Sequence, residues 1–291
     1  MRISIIGAGR VGRTLGRLAH QSGHEMGDIV CGSRRSARSA VAFIGAGTPH
    51  GSARARLSPS GLILISTPDD RIKDAVELIR GGAPETGRPS ALHTSGALSS
   101  DVLSPLRERG FSIGSCHPLQ TFPRPSRSEA LVRSTYFCIE GEARAVRVAR
   151  GLVRDIGARY FEIPTEMKGL YHASAVMASG GVVALVSISL ELLARCGLND
   201  RESIDVLLPL VEATVANVRE RGPSLALTGP VRRGDAGTVE RNLKALSAVN
   251  PAWLEVYRLL AAQGAELAEK TGTAAPALDA IRGLLNAARR L

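Results

Sequence analysis

The sequence predicts an α/β protein in which a doubly wound, mostly parallel sheet is followed by a smaller all-helical domain. Short apolar runs alternate with helix-like segments over residues 1–163, and a glycine-rich turn directly follows the first apolar run. After Pro164 no convincing strand pattern occurs. Strands that alternate with helical crossovers indicate βαβ units. We therefore expect an α/β domain over residues 1–163 and a helical domain over residues 164–291.

The predicted elements follow one another in regular order. The apolar runs that predict strands are Ile3–Ile6, Ile29–Cys31, Leu62–Ser66, Ala91–His93, Ser112–Cys116, Tyr136–Ile139 and Arg159–Ile163. Between several of them lie the helix-like stretches Val11–Gln21, Arg71–Arg80, Asp101–Arg109 and Ala143–Ile156. Thr165 is placed to cap a long helix that runs to about Cys196, and further helices are expected near 200–219, 238–247, 251–270 and 276–290.

The strongest local signal is the turn Gly7-Ala8-Gly9-Arg10-Val11-Gly12, which follows the first strand and opens a helix. Gly7 permits the tight turn, Gly9 lets a pyrophosphate approach the backbone, and Gly12 allows the helix to pack closely on the strand. The first N–H groups of the helix, near Arg10 and Val11, attract phosphate. This turn predicts dinucleotide binding.

The end of the second strand predicts which dinucleotide is bound. Asp28 has roughly the spacing of the acid that binds the ribose of NAD, but it precedes the apolar run and should lie at the beginning of the strand. The carboxyl end carries Ser33 and Arg34, and a guanidinium binds phosphate well. We expect NADP, with its 2′-phosphate at Ser33 and Arg34. The alternative is that these arginines are ordinary surface residues.

A later predicted strand ends in Ser66-Thr67-Pro68-Asp69-Asp70. Because ligands bind at the carboxyl edge of a doubly wound sheet, Thr67 and Pro68 are expected to form a wall of the cofactor crevice. The same letters also describe an ordinary helix start, with proline near the first turn and carboxylates within it. Both interpretations can hold together.

Two further strand ends carry groups that can transfer or hold a proton. One reads His93-Thr94-Ser95-Gly96, and the other reads Cys116-His117-Pro118-Leu119-Gln120. Hydride transfer to or from a substrate needs a proton donor or acceptor, for which histidine is well suited. We therefore predict His117 as a catalytic residue, with Ser95 and Gln120 as substrate contacts. A structural role for each histidine is the alternative.

A third cluster lies on the first helix of the second domain. Lys168, Tyr171 and His172 have the spacing that places side chains on one helix face, and Ser179 lies farther along that face. Lys168 and His172 are predicted to take part in proton transfer.

The late segment Thr228-Gly229-Pro230-Val231-Arg232-Arg233-Gly234-Asp235-Ala236-Gly237-Thr238 predicts an anion site in a loop between helices. Arg233 would bind a substrate carboxylate or phosphate, Asp235 would hold a guanidinium, and Thr238 would cap the next helix. A plain connecting turn is the alternative.

Composition narrows the possible partners. The formal net charge is +10, but only four of the 37 basic residues are lysine and the arginines are spread along the chain. Aromatic residues make up 3%, which disfavours a platform for stacked bases, so we expect no nucleic-acid partner.

The four cysteines show no C-x-x-C pair, so no zinc or other metal site is expected. The absence of a signal-peptide pattern favours the cytoplasm. The apolar stretch Val176–Ala194 favours a buried core or homodimer helix over a membrane span.

Several of these motifs occur together in one family. GAGRVG, STPDD, HTSG, CHPLQTF, KGLYHASAVMAS and ALTGPVRRGDAGTV resemble Rossmann-like proteins whose C-terminal half is domain of unknown function 2520. The layout is distantly similar to pyrroline-carboxylate reductase, prephenate dehydrogenase and ketopantoate reductase. These resemblances imply a catalytic histidine at His117 and an acid–base lysine at Lys168. Gly180 and Asn242 depart from the family pattern, in which asparagine and histidine are common at these positions.

The combined prediction is an NADP-dependent reductase or dehydrogenase acting on a small anionic keto, imino or hydroxy acid. Ketopantoate-type reduction of a 2-oxo acid is the narrower expectation, by analogy with the resembling enzymes. The chain is expected to form a homodimer through its helical domain. A non-catalytic NADP-binding redox sensor or regulatory protein is the alternative, because it needs the same glycine-rich turn but no aligned histidine and lysine groups.

Overall fold

A computed structural model describes residues 1–52, 57–81, 88–122 and 132–290. The chain divides into two units, Met1–Ser179 and Gly180–Leu291. This division falls later than the boundary expected at 163/164, because the helix turns that follow Thr165 make hydrogen bonds to the strands of the first unit.

The first unit is built on one eight-stranded sheet. Its strands are β1 (Arg2–Ile6), β2 (Glu25–Cys31), β3 (Thr48–Gly51), β4 (Leu62–Ile65), β5 (Ser90–His93), β6 (Ser112–Pro118), β7 (Tyr136–Gly141) and β8 (Arg159–Glu162). Their order across the sheet is β3-β2-β1-β4-β5-β6-β7-β8. Neighbouring strands are parallel except for β6 and β7, which are antiparallel. The predicted fold class is confirmed.

Seven of these strands coincide with predicted apolar runs, and β3 does not. Its sequence is Thr-Pro-His-Gly, which carries no apolar alternation. β3 lies at the edge of the sheet and pairs with β2 alone. A proline is tolerated there because an edge strand leaves one row of N–H groups unpaired. Edge position, which only the fold reveals, explains why the strand escaped prediction.

Helices cover both faces of the sheet. Apolar residues of α1 (Arg10–Gln21), α2 (Arg34–Ile44) and α4 (Ala143–Asp155) form one core with the sheet. α3 (Ile72–Arg80) and a 3₁₀ helix over Ser100–Arg109 form the other. The latter stretch was predicted as an ordinary helix, but Pro105 within it cannot donate a backbone hydrogen bond.

The predicted long helix begins with a 3₁₀ turn, Thr165–Met167, in which Thr165 is the first residue and Pro164 occupies the cap position. It continues as α5 (Lys168–Val176), a π-helical turn over Met177–Gly181, and α6 (Val182–Arg195). A π turn inserts one residue into the helical phase. Ser179 lies in this turn and is exposed, so the spacing on which its predicted face depended does not hold.

Helices are the only regular elements among the described residues of the second unit. After α6 come α7 (Asp200–Ala226), α8 (Gly229–Arg233), α9 (Ala236–Ser247), α10 (Pro251–Glu269) and α11 (Ala275–Ala287). A capping box starts α7, since Asn199 and Glu202 exchange side-chain and backbone hydrogen bonds of 3.0 Å each. The core of this unit lies where α9, α10 and α11 meet, around Val239, Ala265 and Ile281.

By length and composition alone, the helical run Thr165–Arg195 could cross a membrane. None of its most apolar 18-residue segment is buried. Within the second unit, large apolar side chains of α6 and α7 are also exposed, among them Val183 (69%) and Leu210 (64%). An apolar surface of this extent on a folded chain usually marks an interaction face.

Candidate active site

The glycine-rich turn is closely packed on its inner side. Gly7 has φ +85°, and a Cβ there would lie 2.5 Å from Thr67 Cγ2. A Cβ on Gly12 would strike Ser66 Oγ, which itself donates a 2.9 Å hydrogen bond to the carbonyl of Gly7. In contrast, the nearest atom to a Cβ on Gly9 lies 3.9 Å away. The turn is therefore fixed by packing at two glycines and open to an approaching ligand at the third.

A cavity of about 630 Å³ adjoins this turn. Gly7, Gly32, Thr67 and Pro68 are among its lining residues, and its volume lies within the range of small-molecule sites. Thr67 Oγ1 is buried and has no hydrogen-bond partner among the described residues. A polar ligand would supply the missing partner. The glycine cradle, the cavity and this orphaned hydroxyl together fit a dinucleotide.

The two residues predicted to hold the 2′-phosphate lie at the carboxyl end of β2. Ser33 caps α2, because its Oγ accepts a 3.1 Å hydrogen bond from Ser36 N, and Arg34 is the first residue of that helix and is exposed. At the glycine-rich turn, Arg10 is exposed at the beginning of α1, whereas Val11 packs on the sheet core.

Asp28 is occupied elsewhere. It is the fourth residue of β2, deeper in the strand than expected, and is buried. One carboxylate oxygen lies 2.9 Å from His50 Nε2, and the other accepts a 2.6 Å hydrogen bond from Ser58 N. Asp28 is therefore not positioned as the acid that follows a strand and binds a ribose hydroxyl.

Mostly polar side chains form two rows across β5, β6, β7 and β8. Residues paired across neighbouring strands point to the same side of a sheet. The strand registers give one row of His93, Ser115 and Glu140 and a second row of His117, Cys138 and Phe161. Lys168 and Tyr171 of α5 hydrogen-bond to members of these rows, so α5 covers this polar part of the sheet.

Lys168, the first residue of α5, is buried between its helix and the sheet. Its side chain is 1% exposed, and Nζ donates a 2.7 Å hydrogen bond to Ser115 Oγ. Burial lowers the pKa of its ammonium group, while the negative charge of Glu140 in the same row acts in the opposite direction. Glu140 is itself satisfied by Ser100, whose N and Oγ donate hydrogen bonds of 2.9 and 2.7 Å.

His117 has one ring nitrogen engaged and one facing Gly96. Nδ1 lies 2.6 Å from Tyr171 Oη, and Nε2 lies 2.8 Å from the position that a Cβ on Gly96 would take. Burial, assisted by the charge of Lys168 and by the neighbouring histidines, lowers the pKa of His117 to about 4. The imidazole is thus neutral at neutral pH.

His172 approaches the same glycine from α5. Its Nδ1 lies 2.6 Å from that Cβ position on Gly96, is buried, and has no hydrogen-bond partner among the described residues. The rings of His172 and His117 are nearly perpendicular, with centroids 6.3 Å apart. The structure therefore brings Lys168, His172 and His117 close to one another, and their roles in proton transfer stay predictions. The role of Gly96, between two imidazoles, was not foreseen.

The other candidates near these strands serve local structure. His93 is buried with both nitrogens engaged, since Nδ1 accepts from Ser95 N at 3.2 Å and Nε2 lies 3.1 Å from Ser99 O. Ser95 Oγ accepts hydrogen bonds from the next backbone amides of its loop. Gln120 Oε1 accepts a 2.8 Å hydrogen bond from Thr121 N. The predicted contacts of Ser95 and Gln120 with a substrate stay predictions.

The predicted anion segment is partly helical. Arg233 ends the short helix α8 and is exposed. Asp235 caps α9, accepting hydrogen bonds of 2.9 and 2.6 Å from Thr238 N and Oγ1, so Asp235 rather than Thr238 is the cap. Asn242, where the resemblance suggests histidine, donates a 3.0 Å hydrogen bond to Tyr257 Oη. The substrate roles of Arg233 and Asp235 stay predictions.

Comparison with solved structures supports the fold. The chain is similar to protein TM1727 from Thermotoga maritima, with 24% identity, a TM-score of 0.75 and coverage of 92% of this chain and 99% of that one. A pyrroline-5-carboxylate reductase from Coxiella burnetii aligns at 13% identity and TM-score 0.57, covering 99% and 97%. A reductive aminase from Aspergillus terreus, in complex with NADPH and ethyl levulinate, aligns at 14% and 0.58, covering 99% and 93%. A search of curated proteins found no significant match.

Family models match both parts of the chain. A Rossmann-like domain matches residues 1–120, in agreement with the sheet order and the glycine-rich turn. A second model matches residues 135–287, which is more than half of the chain. The predicted resemblance is thereby confirmed, and the protein belongs to the family described as Domain of unknown function (DUF2520).

Proposed function

We propose that the protein is an NADP-dependent oxidoreductase that transfers a hydride between the nicotinamide and a small anionic keto, imino or hydroxy acid. The observation that carries this proposal is a shared sheet edge. Gly7, Thr67 and Gly96 follow the carboxyl ends of the parallel strands β1, β4 and β5, and His117 lies near the carboxyl end of the neighbouring strand β6. Ligands of doubly wound sheets bind at this edge.

The residues of the chain divide the work. A bound nicotinamide cofactor would supply the hydride chemistry, and the protein contributes positioning and electrostatics. His117 and His172 face the Gly96 loop and are assigned to the substrate. The ammonium of Lys168 is held by Ser115, and its charge helps to lower the pKa of His117. Reduction of a 2-oxo acid of the ketopantoate type remains the narrower proposal, and the anionic character of the substrate rests on the predicted role of Arg233.

NADP is preferred over NAD in this proposal because Arg34, at the carboxyl end of β2, is exposed, whereas Asp28 is buried in that strand with both oxygens engaged. The test is a fluorescence titration with NADPH and NADH at fixed salt. Removing a charge-assisted phosphate contact costs about 1.5–3 kcal/mol, so Arg34→Ala should weaken NADPH binding about tenfold or more and leave NADH binding nearly unchanged.

Arg147→Ala, which removes an exposed arginine from α4, is the matched control for net charge. Equal losses for both cofactors in Arg34→Ala, or the same loss in the control, would contradict the assignment. Wild-type protein is then screened for NADPH oxidation with keto and imino acids. NADPH binding without turnover of any such acid would favour the second candidate, a redox sensor or regulatory protein.

We also propose that the protein is a homodimer through its helical unit. The exposed apolar residues of α6 and α7 include Val183, Val206, Leu210 and Leu225. Burial of each such side chain contributes about 1.5–3 kcal/mol. A twofold interface needs one patch that complements itself, and exposed apolar side chains on two helices that pack together suit that requirement. A second copy of the chain is therefore the proposed occupant of this face.

A further inference from the structure

Tyr171 is held on three sides within the polar part of the first unit. Its ring meets that of Phe161 edge to face, with centroids 5.8 Å apart. The ammonium of Lys168 lies 5.5 Å from the ring centroid. The hydroxyl lies 2.6 Å from Nδ1 of His117. A ring packed in this way has little freedom to turn its hydroxyl away from the imidazole.

We propose that Tyr171 is a positioning residue that fixes His117 as its Nε2–H tautomer, so that the imidazole presents a hydrogen-bond donor toward Gly96 and favours a carbonyl substrate. The substrate part rests on the proposed function. The tautomer part does not, because it concerns two side chains of the free protein.

A count of protons leads to this tautomer. Burial raises the pKa of the Tyr171 hydroxyl, and burial together with Lys168 lowers that of His117 to about 4. At neutral pH the phenol therefore keeps its proton, and the imidazole carries only one. If the phenol donates to Nδ1, the imidazole proton must lie on Nε2.

The opposite arrangement is less favourable. If Nδ1–H donated to the phenol oxygen, the phenol proton would need another acceptor, and the neighbouring candidate is the sulfur of Cys138. A thiol sulfur is a weak acceptor, whereas an imidazole nitrogen is a good one. Burial raises the pKa of Cys138 to about 11, so it stays a thiol at neutral pH.

The tautomer has a consequence for the substrate. A carbonyl oxygen has lone pairs that accept from Nε2–H. A protonated imine carries N–H groups and no free lone pair on nitrogen, so it would place two donors against each other. The other titratable groups that face His117 are Lys168 and His172 on α5, His93 on β5, and Cys138 and Glu140 on β7. The Nε2–H donor of His117 therefore favours keto acids among the proposed substrates.

Nitrogen NMR of histidine-labelled, cofactor-free protein tests the tautomer directly. We expect the proton of His117 on Nε2 in the wild type, with Nδ1 showing the shift of a hydrogen-bonded acceptor. In Tyr171→Phe, Nδ1 should lose that shift and the pKa of His117 should rise, because the donor that stabilises the neutral ring is gone. Tyr160→Phe, on strand β8, is the matched control and should leave both signals unchanged.

Two results would overturn the role of Tyr171: a wild-type proton on Nδ1, or nitrogen shifts of His117 that are the same in Tyr171→Phe. The wild-type measurement holds even if the variant folds poorly. Turnover is then compared for a keto acid and its imino counterpart, and preference for the imino acid overturns the substrate part. Turnover of neither contradicts the proposed function, while the NMR result still decides the role of Tyr171.

Discussion

Replacing Gly96 with alanine probes the two-histidine arrangement with a single methyl group. The new Cβ would lie 2.6 Å from His172 Nδ1, 2.8 Å from His117 Nε2 and 3.0 Å from His117 Cε1. Ordinary contacts with a Cβ begin near 3.4 Å, so each ring must withdraw by several tenths of an ångström. A misplacement on the order of 1 Å at reacting groups costs about 10²-fold in rate.

Under the proposed function, we therefore expect Gly96→Ala to lower kcat/KM about 10- to 100-fold on an acid substrate, with NADPH affinity unchanged. Gly169→Ala is the matched control, because Gly169 lies on the helix of Lys168 and His172 and its Cβ would meet nothing within 4 Å. The ring resonances of both histidines provide a second readout that needs no substrate. Unshifted resonances and full activity in Gly96→Ala would refute the reasoning.

Two further predictions concern pH and assembly. His93 and His117 have pKa values of about 4 in the fold and about 6.5 in an unfolded chain, so the unfolded chain binds more protons between these values. The free energy of unfolding should have its full value above about pH 6.5 and fall as the pH decreases toward about 4. Buried His93 alone should account for a loss of about 3 kcal/mol. Urea titrations that show no loss in this window would contradict the assignment. In sedimentation experiments we expect the wild type to be a dimer. Leu210→Glu should convert it to a monomer, and the control Glu212→Gln should not. A wild-type monomer that binds lipid vesicles would favour a membrane face.

The fold could be predicted because its signals are local. Alternation of apolar runs with helix-like stretches identified seven strands, and the turn at Gly7 marked the connection from the first strand to the first helix. Two of the features that escaped prediction depended on position in the sheet or on helical phase. β3 pairs at an edge where apolar alternation is not needed, and the π turn at Met177–Gly181 has no simple sequence pattern.

The sequence patterns singled out the residues of the candidate site, but they did not indicate its internal geometry. The spacing of Lys168, Tyr171 and His172 placed them on one helix face, and strand ends suggested His117. The partner that each would meet depends on register across strands that are distant in sequence. Ser115, which receives the ammonium of Lys168, lies on a strand more than fifty positions earlier.

The burial of Lys168 also decides which variants can test the site. Its ammonium is held by Ser115, and burial disfavours its charged form. Truncating this side chain would leave the buried Ser115 Oγ without its partner, and a buried polar group left unsatisfied costs about 1–3 kcal/mol. Loss of turnover in Lys168→Ala would thus follow from destabilisation as readily as from lost proton transfer. Variants of Gly96 and Tyr171 alter the histidines and leave the buried Lys168–Ser115 hydrogen bond in place, so they separate chemistry from stability.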